Sequence, residues 1–349
     1  MQTFDLAPGH RISRVIKGGW QLAGGHGAID RDTVIEDMIA FADAGITTFD
    51  CADIYTGVEA LIGAFRAEYL KVRGQDALDR IKVHTKFVPD LGNLATLTKA
   101  DVAAAIDTSL ARLGLEQLNL VQFHWWDYEV DRQVEVATWL ADLRRDGKIA
   151  NIGGTNFDTM QMSRILDAGV PLVSMQVQYS LIDDRPSRSM VEVAMAAGIS
   201  LLCYGSVGGG LFSERSLGAP EPQAPFENRS LIKYKLIVDE FGGWALFQDL
   251  LQALANVAAR HDSDIASIAS RAVLERPGVA AVIVGARNRD HLARNLAIPG
   301  IALNEQDFAE INAVLARANP VPGDVYTLER DRNGRHGSVM KYNLNKEGH

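Results

Sequence analysis

Four side chains in this sequence are of types that together can move a proton: Asp50, Tyr55, Lys86 and His124. The stretch FDCADIYTGVEALIG, residues 49–63, begins as an apolar strand. It then presents Asp50, Asp53, Tyr55 and Glu59 where the apolar run stops. A lysine ammonium near a phenol favours phenolate and so makes the phenol more acidic. Beside an imidazole, such a phenol can act as general acid toward a carbonyl oxygen. The chemistry implied is hydride transfer, with hydride reaching the carbonyl carbon while Tyr55 protonates the oxygen. Asp50 and Lys86 are expensive to bury singly, so they are expected as a pair that tunes the tyrosine. His124 holds the carbonyl oxygen by a hydrogen bond or shares the proton transfer. The same Tyr–Lys pair is an acid one way and a base the other, so the direction of reaction is not readable.

These groups are far apart in the chain, and a repeating fold has to bring them together. Short apolar runs rich in β-formers lie at 15–20, 46–50, 81–87, 118–126, 149–157, 171–180, 199–205 and 279–286. Amphipathic stretches alternate with them at 33–44, 57–69, 99–113, 131–146, 158–168, 186–197, 244–260, 264–275 and 288–297. Many of these are stopped by glycine, and Thr98 stands as a cap. Eight strands separated by helices predict parallel pairing and closure into a (β/α)8 TIM barrel over residues 1–316. The open doubly wound sheet is the competing architecture. No strand is followed by G-x-G-x-x-G, and Gly208-Gly209-Gly210 lacks the spacing. Residues 206–243 form a long loop insertion after the seventh strand, and 317–349 a polar C-terminal tail whose final stretch is expected to be disordered.

In such barrels the site gathers at the carboxyl ends of the strands. Period-two alternation places Thr48 with Asp50, Lys82 with His84 and Lys86, and Leu120 with Gln122 and His124. Asp50, Lys86 and His124 therefore end their strands pointing inward at one rim, and Tyr55 folds over it. His84 lies deeper and reads as structural. Asp53 and Glu59 read as a helix cap and a local buttress. Of the neighbours Trp125 and Trp126 at most one can face a pocket. Trp20 and Trp125 are taken as pocket walls, with Trp244, Phe226 and Tyr326 as closing groups.

The 349 residues are 47% hydrophobic and 23% charged, with a formal net charge of −9. An acidic chain without a basic run makes a poor nucleic-acid binder. Two cysteines, Cys51 and Cys203, are too few for a disulfide framework. The N-terminal residues lack the apolar core of a signal peptide, and no run of ~20 uncharged apolar residues offers a membrane span. A soluble, cytoplasmic protein is expected. No metal is expected, since no cluster such as H-E-x-x-H occurs.

FDCADIYTGVEALIG resembles the aldo-keto reductase pattern of an inner Asp, a Tyr five positions on, then a Glu and a Gly. VHTKF and LVQFHWWDY are similar to that family's lysine and histidine strands. NIGGTNF and SMQVQYSL resemble the segments that hold the nicotinamide carboxamide, which implies Thr155, Asn156 and Gln176. CYGSVGGGLF is similar to the segment whose tyrosine stacks on nicotinamide, here Tyr204. VIVGARNRDHLARNL is similar to the segment binding the adenosine phosphate, which implies Gly285, Arg287 and Asn295. The chain departs from the pattern in having Cys51 for Thr or Ser, Gly285-Ala286-Arg287 where a lysine or serine is common, and Arg294 before Asn295.

The resemblance implies a nicotinamide-dependent oxidoreductase acting on an aldehyde, ketone, alcohol or sugar lactol. NADP(H) is the preferred cofactor and NAD(H) the alternative. Gly205 and Gly208–Gly210 read either as turn residues or as points of close backbone approach to a pyrophosphate. Arg287, Arg289 and Arg294 read either as a solvated charge face or as the phosphate patch an acidic protein needs. Two other functions stand against this one. A redox-sensing or regulatory subunit with little turnover would show a sustained exposed apolar face in 206–243. A barrel isomerase or lyase would not use nicotinamide. Substrate identity and oligomeric state are not readable.

Overall fold

The computed structural model describes residues 1–23, 29–226 and 228–345. Glu227 of the insertion and residues 346–349 of the tail lie outside the described residues. The strands are β1 (Thr3–Ala7), β2 (His10–Ser13), β3 (Val15–Gly18), β4 (Thr48–Asp50), β5 (Lys82–Phe87), β6 (Leu120–Phe123), β7 (Ile152–Thr155), β8 (Leu172–Gln178), β9 (Ser200–Tyr204) and β10 (Val279–Gly285). Eight of them, β3 to β10, close into a parallel barrel in which β10 pairs with both β3 and β9. This is the expected (β/α)8 barrel.

Its helices are α1 (Arg31–Asp43), α2 (Val58–Arg73), α3 (Gln75–Leu78), α4 (Lys99–Leu113), α5 (Gln133–Arg145), α6 (Thr159–Asp167), α7 (Met190–Ala196), α8 (Arg229–Phe241), α9 (Gly243–Arg260), α10 (Ile265–Leu274), α11 (Leu292–Ala297), α12 (Glu305–Leu315) and α13 (Thr327–Arg330). Local chemistry sets their ends. Thr98 and Asp101 form a reciprocal capping box at the start of α4. Asp30, Asp158 and Asp264 cap α1, α6 and α10. Gly63 is required where α2 crosses α4, because a Cβ there would lie 2.1 Å from the Arg112 carbonyl oxygen.

The first two strands form an antiparallel hairpin that the sequence reading did not anticipate. It covers the amino end of the barrel. Leu6 and Ile12 pack on Ile16, Leu120 and Leu202, all buried. His10 enters the same floor, its Nε2 2.9 Å from Nε2 of His84.

The insertion is not a loop throughout. Its second half is α8, which buries Tyr234, Ile237, Val238 and Phe241 against the barrel's flank. The tail is ordered as far as it is described. Arg185 of the barrel pairs with Glu329 at 3.0 Å, and the Asn345 backbone N–H donates to Asp90 at 3.0 Å. The disorder expected of the tail's final stretch falls in part on residues 346–349, which lie outside the described residues. Charged side chains of the tail pair with partners elsewhere in the chain. Among the described residues, no helix is long and apolar enough to cross a membrane.

Candidate functional site

The inner face of the barrel carries its polar groups toward the carboxyl rim, as the alternation requires. Asp50 ends β4, and both of its carboxylate oxygens accept hydrogen bonds. Lys86 Nζ donates to Oδ2 at 2.6 Å, while Gln122 and Gln176 each donate an amide N–H to Oδ1 at 3.0 and 2.6 Å. Lys86 Nζ also donates to the Cys51 carbonyl oxygen at 2.8 Å. An ammonium has three donors. The third faces Tyr55, whose ring centroid lies 5.1 Å from Nζ. Burial alone would push the Lys86 ammonium down. The Asp50 carboxylate and the Tyr55 phenol outweigh it, so the pKa lies above the ordinary lysine value.

Tyr55 follows β4 by five residues and packs edge-on against Trp20, with ring centroids 5.1 Å apart. Its phenol does not become more acidic, as the sequence reading expected. Burial pushes it above the ordinary tyrosine value, and the opposing pull of Lys86 is the smaller effect.

His124 follows the end of β6. Its Nδ1 lies 3.0 Å from the Thr155 carbonyl oxygen. A carbonyl only accepts, so Nδ1 carries the proton. Burial, with the charge of Arg330 adding to it, pushes the imidazole down to about 3. The ring is therefore neutral, and Nε2 is a bare acceptor with no partner among the described residues. It has no N–H to offer a carbonyl oxygen.

Asp50, Tyr55, Lys86 and His124 line one cleft of about 270 Å³. Trp20, Thr155, Asn156, Gln176, Tyr204, Gly205 and Gly285 line it too. Trp125 does not, and that expectation is corrected. The alternation that turns Gln122 and His124 inward puts Trp125 on the opposite face with Phe123 and carries on to Trp126, so the choice of Trp125 ran against it. Trp125 is fully buried with its indole N–H on the Val130 carbonyl at 2.9 Å. Trp126 takes the wall instead, its ring 4.3 Å from that of His124. Gly208 turns inward against Phe212, and Gly209 faces the cleft.

Arg287 is exposed beyond the cleft wall, and Asn295 is buried beside α11 with its Nδ2 lacking a partner among the described residues. Arg289 and Arg294 form ion pairs with Asp37 at 3.4 Å and Asp264 at 3.8 Å. Asp53 is not a helix cap. It accepts from the Val88 and Ile54 backbone N–H groups at 3.0 and 2.9 Å, and Gly57 precedes α2. Glu59 is the buttress expected, accepting from Thr85 at 2.6 Å and pairing with Arg112 at 3.3 Å. Tyr326 lines the cleft, while Trp244 packs on Phe247 away from it, and neither Trp244 nor Phe226 is in its wall.

The sequence reading missed three contributors. Arg229 and Lys233 of α8 line the cleft, as do Val339, Met340 and Leu344 of the tail. Arg330 donates to the Trp126 and Asn156 carbonyls at 2.9 and 2.7 Å and also to that of Trp125. The first had a signal, since Asn228 precedes an apolar 3.6-residue pattern. The tail residues had none.

The rim has donors and acceptors suited to a nicotinamide. Gln176 spends its amide N–H groups on Asp50 and on Gln122 Oε1 at 2.9 Å, which leaves Oε1 as an acceptor. Asn156 Oδ1 accepts from the Tyr204 hydroxyl at 2.8 Å, which leaves Nδ2 as a donor. One acceptor and one donor complement a carboxamide. At Gly285 the missing side chain lets Gln21 pack close, since a Cβ there would lie 2.2 Å from Gln21 Nε2.

A closed parallel barrel with a cluster of titratable side chains in a cleft on its carboxyl rim has the architecture of a (β/α)8 barrel enzyme, and the comparisons give its family. The Aldo/keto reductase family model matches residues 14–316. The chain is 30% identical over 315 residues to aldo-keto reductase YhdN of Bacillus subtilis (strain 168), covering 88% of this chain and 91% of that protein. It is 26% identical over 306 residues to the chloroplastic pyridoxal reductase of Arabidopsis thaliana, covering 84% and 79%. The structure of glycerol dehydrogenase AKR11B4 from Gluconobacter oxydans shares the fold, with a TM-score of 0.75 at 23% identity over 90% of this chain and 95% of that one. The chain belongs to the aldo/keto reductase family. It is an oxidoreductase, and the family and relatives indicate NAD(P)H-dependent reduction of small carbonyl compounds.

Proposed function

We propose that the chain reduces an aldehyde or ketone, or oxidises the matching alcohol or sugar lactol, with Tyr55 as the group that gives or takes the proton. A bound reduced nicotinamide supplies hydride to the carbonyl carbon. Thr155, Asn156, Gln176 and Tyr204 would hold its ring end, Gly205 and Gly209 its pyrophosphate, and Gly285, Arg287 and Asn295 its adenosine phosphate. The exposed Arg287 just beyond β10 is the basis for preferring NADP(H) over NAD(H).

One observation carries the reading. Lys86 is saturated by Asp50 and Cys51 on one side and faces the Tyr55 ring on the other, in the cleft that also holds His124 Nε2. In reduction, Tyr55 donates its proton to the carbonyl oxygen, and Lys86 stabilises the phenolate left behind. In oxidation, phenolate and Nε2 accept toward the substrate hydroxyl.

Tyr55→Phe is expected to abolish carbonyl reduction while NADPH still quenches tryptophan fluorescence with nearly unchanged affinity. Undiminished turnover would remove Tyr55 from the role. Arg287→Ala is expected to weaken NADPH far more than NADH, and equal losses would refute the 2′-phosphate assignment. A regulatory subunit is not favoured, because none of the exposed large hydrophobic residues falls within 206–243 among the described residues.

A further inference from the structure

The acidic chain keeps a local surplus of positive charge in its cleft. Asp50 is the one carboxylate in the described cleft wall, and Lys86 neutralises it. Arg229 and Lys233 remain. Arg229 makes no hydrogen bond or ion pair among the described residues. Lys233 makes a single long hydrogen bond, from Nζ to the Tyr204 hydroxyl at 3.5 Å.

Lys233 Nζ is held over three tyrosine rings, 4.9 Å from the centroid of Tyr204 and 5.6 Å from those of Tyr234 and Tyr326. Aromatic faces steady an ammonium but neutralise none of its charge. The acids closest to it electrostatically, Glu329 and Asp183, are hydrogen-bonded to Arg185 at 3.0 and 2.7 Å, so they act on Lys233 only at a distance and form no ion pair with it. Burial pushes Lys233 below the ordinary lysine value, with Glu329 opposing. A bound anion would relieve that cost. The Tyr326 ring, 5.6 Å from Lys233 Nζ, is also 5.6 Å from the His124 ring. Lys233 thus stands one tyrosine ring away from the proton-handling groups.

We propose that Lys233, assisted by Arg229, binds a carboxylate carried by the carbonyl substrate, so that the preferred substrates are small oxo acids. This rests on the reductase reading above and narrows its substrate class. A carboxylate seated on Lys233 spans the Tyr326 ring and leaves its carbonyl near Tyr55 and His124 Nε2. The cofactor's pyrophosphate presents the same anionic oxygens, and the test separates the two sources.

The probes are para-carboxybenzaldehyde and its methyl ester. Each is tested for turnover with NADPH and for tryptophan-fluorescence binding to protein saturated with NADP⁺. Wild-type protein is expected to favour the carboxylate by roughly 10- to 100-fold in kcat/KM and in Kd, the factor a charge-assisted hydrogen bond supplies. Lys233→Met should remove that preference by raising KM for the carboxylate, with the ester unchanged and NADPH affinity within about 2-fold. Lys233→Arg should keep most of it.

Equal handling of the two aldehydes by wild-type protein overturns the proposal without any variant being needed. So does a Lys233→Met variant that loses NADPH affinity and treats both aldehydes alike, which would give the lysine to the cofactor. Discrimination in binding with no turnover of either aldehyde would sink the reductase reading and leave the Lys233 site standing.

Discussion

The guanidinium of Arg330 donates to the main-chain oxygen of Asn156 at 2.7 Å, which ties the tail to the loop after β7. The same group binds the Trp125 and Trp126 carbonyls and stacks on the Tyr128 ring at 3.9 Å. The chain segments carrying His124 and Asn156 are thus fastened to each other through one side chain. Arg330→Ala is expected to cost about 2–4 kcal/mol by urea denaturation, since three buried carbonyls lose a charged donor. It should also lower kcat roughly 10- to 100-fold by letting the two loops drift. Unchanged kcat would show that the tail does not position the site.

The pH dependence follows from which groups can titrate. His124 is held down at about 3, while Tyr55 lies above the ordinary tyrosine value. Reduction needs protonated Tyr55, so its rate should be level from roughly pH 5 to 9 and fall above about pH 10. Oxidation needs phenolate and should rise over the same alkaline range. A reduction limb near pH 6.5 would mean that His124 titrates normally, against the burial seen.

The floor of the barrel should make the fold acid-sensitive. His10 is depressed to about 4 by burial and by the charge of Lys82, and burial likewise holds His84 well below the ordinary histidine value. A depressed histidine contributes stability that is fully present above the unfolded value of about 6.5 and lost as pH falls through the folded value. His10 alone accounts for on the order of 3 kcal/mol between about pH 6.5 and 4. Melting temperature should fall across that window, and His10→Gln should flatten the slope. An equally steep slope in the variant would remove the pair as its cause.

Arg185 joins Asp183 to Glu329 with all three side chains buried. Glu329 is held at about 2; burial pushes it up, but the Arg185 charge and hydrogen bonds pull it down further. Arg185→Met would strand two carboxylates in the interior. The expected loss is about 3–5 kcal/mol, together with release of the tail to limited proteolysis. A variant with wild-type stability and an uncut tail would contradict this.

The barrel and the rim cluster were readable because both rest on short-range periodicity. Asp50, Lys86 and Gln122 fall on inward faces by simple alternation, and glycine stops marked where many of the helices ended. The reading failed where periodicity was not followed or gave no signal. Trp125 was chosen although the alternation through Gln122 and His124 carries on to Trp126. The hairpin was missed although Pro8-Gly9 sits between alternating runs, a turn signal left unused. The tail contacts were out of reach for another reason. The Arg185–Glu329 pair spans 144 residues, and nothing local in the sequence around Glu329 points to its partner. Tyr55's acidity was misjudged because sequence shows the neighbouring charge but not the depth of burial that opposes it.

The hairpin beneath the barrel gives the interior a single door. Ile12, Ile16, Leu120 and Leu202 are fully buried there, and His10 and His84 are nearly so, so the layer under Asp50 and Lys86 is closed from below. If Tyr55 gives its proton as proposed, the phenolate is expected to be recharged from the carboxyl rim, the side on which the product also leaves.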